Sequence, residues 1–239
     1  MTPEKQRTRM IVAALKTVAL FGGLPEAELE VLSRQVVRKR YARNEVIFPQ
    51  GARGEGLYIV VQGHVIISRQ GPQGDELILA LCEPGEYFGE LALFDQAPRS
   101  ASAVALDDCG VLFLSRAVFQ RFLQAHPAAL WTCLAVLVAQ LRRLTELADE
   151  MALLDVRRRL ARRLLRLAEQ GVVGTDPARP TGRPVRITQQ HLAKMTGTTR
   201  ERANKQLQAF AAEGLIRLER GCVHIVDRAR LAACGEGLA

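Results

Sequence analysis

Two short segments of the 239-residue chain combine glycine, a carboxylate, a guanidinium and a hydroxyl, and they lie at Phe88–Leu93 and Pro98–Ala103. A tight turn in the first would expose backbone N–H groups, which bind an anionic phosphate when a guanidinium such as Arg99 stands beside them. The carboxylate of Glu90 disfavours phosphate but can accept a hydrogen bond from a sugar hydroxyl. The pattern favours a phosphorylated sugar, with an internal Glu90–Arg99 salt bridge as the alternative. The candidate binding residues are Gly89, Glu90, Leu91, Ala92, Arg99 and Ser100.

A second group of polar residues, near the C-terminus, has the spacing of a helix-turn-helix. Thr188 and Thr199 can each cap the start of a helix, and Gly197 can make the tight turn between them. Thr196 and Gln206 depart from the pattern, since such motifs usually carry aliphatic residues at these places. We expect two short helices that cross closely.

The second of these helices carries side chains suited to reading DNA. Arg200, Glu201 and Lys205 fall in its N-terminal half, which is the part that enters a major groove. An arginine offers two donors to guanine, and a glutamate accepts from the amino group of cytosine. A polar helical hairpin without a special role is the alternative.

The charge of the chain is concentrated in its last third. The net charge of +8 is 33 Lys and Arg minus 25 Asp and Glu. Residues 155–239 hold 17 cations and 8 acids, a balance of +9, whereas residues 1–154 hold 16 and 17, a balance of −1. A basic segment beside a nearly neutral body indicates a nucleic acid or, less often, an anionic membrane surface as its partner.

Several classes of protein are disfavoured by what the sequence lacks. It has no apolar run long enough to span a membrane and no secretory signal pattern, so we expect a cytoplasmic protein without a membrane partner. The five cysteines have no metal-ligand spacing and are expected to be reduced. We find no nucleophile–base pair and no phosphate-binding loop of kinase type, so we expect no enzymatic activity, no catalytic residue and no metal site.

The periodicity of apolar residues changes twice along the chain. After a short amphipathic helix at Leu24–Leu32, the period becomes two, with glycine at the turns, which predicts a β-sandwich or barrel. The predicted strands are Glu45–Phe48, Leu57–Val61, Val65–Ser68, Glu76–Leu81, Ala101–Leu106 and Val111–Leu114.

From Ala128 to Glu150 the period becomes helical, and nothing interrupts the pattern. Its apolar residues have the 3-4 spacing of a helix that packs on a copy of itself, with packing on its own β domain as the alternative. Asp155 can cap a following helix that runs to Glu169, so Leu153–Asp155 is the predicted hinge. The seam residues are Leu134, Leu137, Leu141, Leu144, Ala148 and Met151.

The C-terminal region ends in a helix, turn, helix and hairpin, the order of a winged helix-turn-helix. A Gly- and Pro-rich loop at Gly171–Pro184 precedes it. The predicted helices and strands are Thr188–Met195, Thr199–Glu213, Leu215–Leu218 and Cys222–Val226.

Taken together, these motifs resemble the CRP/FNR family of transcription factors over roughly residues 24–230. The resemblance implies an α+β protein with an N-terminal jelly roll (a double-stranded β-helix of the cyclic-nucleotide-binding type), a long dimerisation helix and a C-terminal winged helix-turn-helix. The expected domains are an N-terminal extension (1–23), an effector-sensing jelly roll (24–127), the dimerisation helix and hinge (128–154) and the DNA-binding domain (155–239). The motifs are Glu45–Phe48, Gln50-Gly51, Leu57–Val60, Gly63, Phe88–Leu91, Pro98–Ala101, Leu154–Val156, Arg159-Leu160 and Arg200-Glu201.

For the effector, the resemblance implies a cyclic nucleotide. In members that bind cyclic AMP, the turn matching Gly89-Glu90 contacts the ribose and the pair matching Arg99-Ser100 grips the cyclic phosphate. Such members often place adjacent Thr and Ser against the adenine, and Leu144-Thr145 stand there in this chain, which leaves Thr145 as the candidate. Cyclic AMP is the first expectation, while cyclic GMP, cyclic di-GMP, control by a redox-active thiol and the absence of any effector stay open. No tightly bound cofactor is expected.

For the other partners, the resemblance implies a homodimer that binds a two-fold operator with TGTGA-like half-sites and that contacts RNA polymerase. Arg200, Glu201 and Lys205 would read base edges. Family members often have an arginine at the position of Lys205, which has the same charge but lacks the paired donors of a guanidinium. A cyclic-nucleotide-binding regulatory protein without a DNA function is the weaker alternative. Four arginines of the preceding helix, Arg157, Arg158, Arg162 and Arg163, would either add attraction to the DNA backbone or form a solvated face. The remaining candidates for DNA contact are Thr188, Thr198, Thr199 and Arg202.

Overall fold

A computed structural model describes residues 3–170, 172, 187–219 and 222–236. Two compact units make up the chain, one formed by Met1–Gln70 with Leu79–Arg142 and the other by Gly71–Ile78 with Arg143–Ala239. The loop predicted for Gly171–Pro184 lies outside the described residues except at Val172.

Most of the described strands lie between residues 37 and 115, and helices lie on both sides of this region in the chain. In chain order they are α1 (Pro3–Thr17), α2 (Glu26–Ser33), β1 (Val37–Tyr41), β2 (Val46–Phe48), β3 (Gly56–Gln62), β4 (Val65–Gln70), β5 (Glu76–Cys82), β6 (Tyr87–Phe88), α3 (Leu91–Phe94), β7 (Ser102–Ala105), β8 (Cys109–Ser115), α4 (Arg116–Ala125), α5 (Ala129–Leu153), α6 (Val156–Glu169), α7 (Gln189–Met195), α8 (Arg200–Ala212), β9 (Ile216–Glu219), β10 (Cys222–Ile225) and α9 (Arg228–Glu236).

The strands form two four-stranded sheets, with orders β1-β8-β3-β6 and β2-β7-β4-β5. In β3, successive side chains enter different cores because they point to opposite faces of the strand. Leu57 and Ile59 pack with the helices, whereas Tyr58 and Val60 pack with the second sheet. A strand covered on both faces reads as a continuous apolar run, which is what the sequence shows here. The predicted jelly roll is confirmed.

The helix α1 was not predicted, and it joins the core of the first unit. Ile11, Val12 and Leu15 are buried in the same cluster as Leu57 and Ile59 of β3. Residues 11–21 therefore contribute to this core, because their buried apolar side chains belong to the same cluster as β3. The sequence signal was weak because Lys5–Arg9 are all polar, and all of them except the half-buried Thr8 are exposed.

The helix α4 was also missed, and it follows β8 without a connecting loop. Ser115 ends the strand and at the same time caps the helix, its hydroxyl accepting the Val118 N–H at 3.4 Å. Phe119 and Phe122 then point into the core. Without turn residues to mark the boundary, the strand pattern hid the start of the helix.

The long helix α5 and the break that follows it are confirmed. It spans 25 residues to Leu153, and α6 begins at Val156. The side-chain oxygen of Asp155 accepts the Arg158 N–H at 2.8 Å, which is the predicted N-cap. A guanidinium N–H of Arg159 donates to the carbonyl of Leu154 at 2.8 Å and so satisfies a group that the end of α5 leaves unpaired.

The second unit contains the predicted winged helix-turn-helix, with α7 and α8 joined by a tight turn and followed by the β9–β10 hairpin. Gly197 adopts a φ of 59° in the turn, a conformation that favours glycine. The helix α9 was not predicted and packs on α6. None of the described helices combines the length and hydrophobicity that crossing a lipid bilayer requires.

Candidate effector and nucleic-acid sites

Arg99 is buried in the first unit, with 5% of its surface exposed. Its Nη1 donates to the carbonyl oxygen of Gly89, and its Nη2 donates to that of Gly56 at 2.6 Å. Its guanidinium carbon lies 4.2 Å from the ring centre of Phe48. Burial lowers the pKa of Arg99, but a guanidinium stays charged at neutral pH. The Nε–H is buried and makes no hydrogen bond, so it is left as a donor for an anion.

Glu90 is buried close to this guanidinium, with 6% of its surface exposed. Burial raises the pKa of Glu90, and this outweighs the hydrogen bonds from its own backbone and from the Gln140 side chain and the charge of Arg99, which lower it. Glu90 and Arg99 do not form a salt bridge, so the internal ion pair considered from the sequence is not the arrangement in the structure. The carboxylate instead accepts from an amide of α5, which a sugar hydroxyl could replace.

Glycine is required at position 89 for two reasons. Its φ of 82° is in the left-handed region, and a Cβ there would come within 2.6 Å of Nη1 of Arg99. A Cβ at Gly54 would come within 2.1 Å of the Cβ of Ala92. The backbone of these segments thus approaches side chains more closely than other residues would allow, which keeps Arg99 and Ala92 in place.

The structure brings some of the predicted effector residues together and leaves others apart. Gly89, Glu90, Ala92 and Arg99 converge in the first unit, and we call these four residues, with Leu91 and Ser100, the effector cassette. Leu91 and Ser100 are exposed at its edge. Thr145 is exposed on the part of α5 that belongs to the second unit, and its contact with an effector stays a prediction.

Sequence reasoning missed three side chains that shape the cassette. Gln140 donates to Glu90, Phe48 covers the guanidinium of Arg99, and Arg116 donates to the carbonyls of Gly54 and Ala92. Each belongs to an element distant in sequence from Glu90 and Arg99. No local pattern could have indicated them, because the folded sheets create the contacts.

In the second unit, α7 and α8 begin with the predicted threonine caps. The hydroxyl of Thr188 accepts the His191 N–H at 3.1 Å, and that of Thr199 accepts the Arg202 N–H at 3.3 Å. The hydroxyl of Thr188 keeps its own hydrogen, which can donate to a phosphate, whereas that of Thr199 donates to the Glu201 carboxylate. Thr198 differs from them, since its hydroxyl oxygen is buried and makes no hydrogen bond.

Thr196, which departs from the usual motif, is accommodated by the backbone. The residue is buried, and its hydroxyl donates to the carbonyl of Leu192 at 2.8 Å. Hydrogen-bonding the hydroxyl removes most of the penalty for burying it. The substitution therefore does not disturb the crossing of the two helices.

The predicted base-reading side chains stand on the exposed surface of α8. Arg200, Glu201, Arg202 and Lys205 are all exposed, and Ala203 and Leu207 of the same helix are buried. Arg200, Arg202 and Lys205 form no salt bridge with any described residue. Hydrogen bonds from its own backbone N–H and from the Thr199 hydroxyl lower the pKa of Glu201, so it is ionised at neutral pH.

The arginines of α6 differ from those of α8, because each donates to an acceptor within the second unit. The acceptors are the carboxylates of Glu150 and Glu213 and the carbonyls of Met151, Leu154, Met195, Gly235 and Glu236. The six donors are Arg157, Arg158, Arg159, Arg162, Arg163 and Arg166.

Arg157, Arg158, Arg162 and Arg163 each hold an acceptor within the second unit, and a contact of any of them with DNA stays a prediction. Arg163 is 8% exposed, and burial lowers its pKa to about 10. Part of the positive charge of the last third thus stabilises the fold and does not identify a contact surface.

The cysteines give little support to control by a thiol. Four of the five are buried, and Cys222 is half-buried. Burial raises the pKa of Cys109 to about 12 and also raises that of Cys133. A thiol reacts as its thiolate, so these two are poor candidates for redox sensing.

Known proteins are similar to this chain along almost its whole length. Residues 38–126 match the cyclic nucleotide-binding domain, and residues 158–234 match the Crp-like helix-turn-helix domain. The cyclic AMP receptor protein of Thermus thermophilus is 35% identical over 225 residues, which cover 94% of this chain and 100% of that protein. A CRP-like cAMP-activated global transcriptional regulator of Mycobacterium tuberculosis is 33% identical over 218 residues, which cover 91% of this chain and 96% of that protein.

One similar solved structure is that of CLP, a c-di-GMP-responsive global regulator of Xanthomonas campestris. It is 27% identical, with a TM-score of 0.67, and the match covers 80% of this chain and 94% of that one.

A cyclic nucleotide-binding jelly roll, a long helix and a winged helix-turn-helix in one chain define a DNA-binding transcriptional regulator with a sensor domain. Its agreement with relatives over nine-tenths of its length places it more narrowly, and the chain belongs to the CRP/FNR family of transcriptional regulators. The resemblance seen in the sequence is confirmed.

Proposed function

We propose that this regulator is a homodimer that binds a two-fold operator with TGTGA-like half-sites when a cyclic nucleotide occupies its effector cassette. The proposal rests on one contrast. The basic side chains of α8 are exposed and form no salt bridge with a described residue, whereas the arginine of the cassette, Arg99, is buried. Arg200, Glu201 and Lys205 would read base edges, while Thr188, Thr198, Thr199 and Arg202 would contact phosphates.

The proposed homodimer forms through α5. Leu134 and Val138 lie about one turn apart on this helix and are 49% and 48% exposed, and Leu144 is 52% exposed. Trp131 is 76% exposed on the same helix. An exposed apolar stripe on a long helix favours pairing with a second copy, because burying it removes apolar surface from water. Pairing would bring two α8 helices to half-sites about 34 Å apart.

Cyclic AMP is the effector we propose first, because two of the similar proteins are named for it. The cyclic phosphate would accept the Nε–H of Arg99 and the hydroxyl of Ser100, with Gly89, Leu91 and Ala92 forming the surrounding turn. Glu90 would accept from the ribose, and Thr145 would contact the base. Leu144 removes one of the two hydroxyls usual for cyclic AMP, and the likeness to CLP makes cyclic di-GMP the second candidate.

Effector binding at this cassette would exchange hydrogen bonds that already exist. A ribose hydroxyl on Glu90 competes with the amide of Gln140, and Gln140 belongs to α5. Binding would therefore break the hydrogen bond between Gln140 and Glu90, which holds α5 near its middle. Such an exchange can act as a switch only if the ligand favours the DNA-competent arrangement over the other.

RNA polymerase is a further proposed partner, since the named relatives are global transcriptional regulators. The proposed place of action is the cytoplasm, where the operator is, and the proposed activity is regulation without catalysis. No membrane and no tightly bound cofactor enter this proposal.

Two titrations with the full chain test the proposal. Calorimetry with cyclic AMP, cyclic GMP and cyclic di-GMP should give heat with one of them, at one site per protomer. A fluorescent duplex with two TGTGA-like half-sites should then bind more tightly in the presence of that nucleotide. If none of the three binds and the duplex binds regardless, the nucleotide switch is wrong and the DNA function stands. If the duplex binds no better than a scrambled one, the operator assignment is wrong.

A further inference from the structure

The guanidinium of Arg99 lies against a cluster of aromatic rings inside the jelly roll. We call Phe48, Tyr58, Phe88 and Phe113 the aromatic cluster, because Tyr58 packs at 5.0 to 5.5 Å, ring centre to ring centre, on each of the other three. The guanidinium carbon lies 4.2 Å from the ring centre of Phe48 and 5.8 Å from that of Tyr58. These distances are in the range of cation–π attraction.

Phe48 is the member of the cluster with the closest hold on Arg99. It stands on β2, where the pairing with β7 shifts register between Val46 and Phe48. A Cβ at Gly89 would come within 3.4 Å of the Phe48 ring and within 2.6 Å of Arg99, so the three groups meet at one point. Phe48 is half-buried, and its ring covers a guanidinium that is otherwise held through its two terminal nitrogens.

We propose that Phe48 is a positioning residue for the effector: its ring fixes the plane of the Arg99 guanidinium so that the buried Nε–H faces the anion. The inference deepens the proposed function, because it assumes that Arg99 binds the effector phosphate. Nη1 and Nη2 each donate to a backbone carbonyl, and the buried Nε–H makes no hydrogen bond. Without the ring, water can reach the guanidinium, and an anion would have to displace it.

The same cluster supplies a matched control. Phe113 resembles Phe48 in two ways. It is half-buried, and a cation lies over its ring, since the ammonium of Lys39 is 4.3 Å from the ring centre. Phe113→Leu therefore removes a comparable ring and a comparable cation–π contact, but it leaves Phe48 over Arg99. Phe48→Leu keeps an apolar side chain and removes the π face, whereas Phe48→Trp keeps the face.

The first readout does not depend on any ligand. In full-length protein labelled with ¹⁵N-arginine, the Nε–H signal of Arg99, assigned by its loss in Arg99→Lys, should lie upfield because of the Phe48 ring current. We expect the shift to disappear in Phe48→Leu, to persist in Phe48→Trp and to be unchanged in Phe113→Leu. An unchanged signal in Phe48→Leu overturns the proposal.

The second readout is the affinity for the nucleotide that binds the wild-type protein, measured by calorimetry. We expect Phe48→Leu to bind about tenfold more weakly, with recovery in Phe48→Trp and a change of less than about twofold in Phe113→Leu. Equal losses in Phe48→Leu and Phe113→Leu would mean general damage to the cluster and overturn the proposal. If the wild-type protein binds no cyclic nucleotide, the proposed function fails, and the arginine signal alone decides whether Phe48 holds Arg99.

Discussion

The effector cassette and the exposed face of α8 both depend on arginine, and they hold it in opposite ways. Arg99 is buried, and its terminal nitrogens donate to two backbone carbonyls. Arg200 is exposed and forms no salt bridge with a described residue. If the proposed sites are correct, an effector would have to fit among hydrogen bonds that already exist, whereas DNA would meet an arginine that forms no described salt bridge.

The difference indicates which site can switch and which can only bind. Exchanging one set of hydrogen bonds for another couples binding to a rearrangement, which a switch requires. Exposed cations gain affinity by releasing the counterions of DNA, and this needs no rearrangement of the protein. We therefore expect substitutions in the cassette to change the response to an effector, and substitutions on α8 to change the affinity for the operator.

The largest effect is expected for Arg99→Leu, which removes the only cation assigned to the cassette. Truncating one partner of a buried, hydrogen-bonded charge pair costs about 2 to 5 kcal/mol, so cyclic nucleotide affinity should fall by about 30-fold or more. Calorimetry measures the loss. Arg53→Ala, which removes an exposed arginine in the same region, is the control and should bind as the wild type does. Unchanged binding by Arg99→Leu would show that the buried arginine does not bind the effector.

Arg200→Ala tests the exposed site and should weaken operator binding by about 10- to 100-fold, the value of one bidentate base contact. Arg158→Ala is the matched control, since Arg158 donates to the carbonyl of Glu236 and we expect less than about twofold change. Fluorescence anisotropy with the operator duplex at fixed salt measures both. A loss with Arg158→Ala as large as that with Arg200→Ala would show that α6 also contacts the operator.

Glu90→Gln should change effector affinity and stability in opposite directions. Losing a charged acceptor for a ribose hydroxyl should weaken nucleotide binding about tenfold. Because burial raises the pKa of Glu90 above its ordinary 4.5, the ionised carboxylate destabilises the fold at neutral pH and the protonated one does not. The stability contributed by this group is present at low pH and is lost as the pH rises through the raised pKa.

Thermal unfolding of Glu90→Gln and of the wild type in neutral and in acidic buffer measures this difference. The variant should melt at a higher temperature in neutral buffer, and the gap should close below the ordinary carboxyl pKa of 4.5. A variant that is less stable at neutral pH would show that the hydrogen bond from Gln140 outweighs the cost of burial.

The smallest effect is expected for Lys205→Arg, which replaces an ammonium by a guanidinium with two parallel donors. Binding to the best operator should change by no more than about threefold, with sharper discrimination at a single base pair. Competition with duplexes altered at one position measures this. Arg202→Lys, a change at a proposed phosphate contact, should shift the affinity for all these duplexes equally, and a base-dependent shift would reassign Arg202 to base reading.

The elements that could be predicted from the sequence are those with local signals. Thr188, Thr199 and Asp155 mark helix starts because a cap acts on N–H groups only two or three residues away. The pairing of Gln140 with Glu90 and of Phe48 with Arg99 could not be predicted, since the residues of each pair meet only after the sheets and helices have packed. The arginines of α6 and α8 look alike in sequence, and only tertiary acceptors such as Glu213 separate them.

The double role of β3 has a consequence for how the gene can change. Because alternate residues of this strand serve two different cores, the gain or loss of a single codon between Gly56 and Gln62 would exchange the two sets and damage both cores at once. Length variation among descendants of this sequence should therefore avoid β3. It should collect instead at the hairpin tip Gly71–Gly74, whose side chains are exposed.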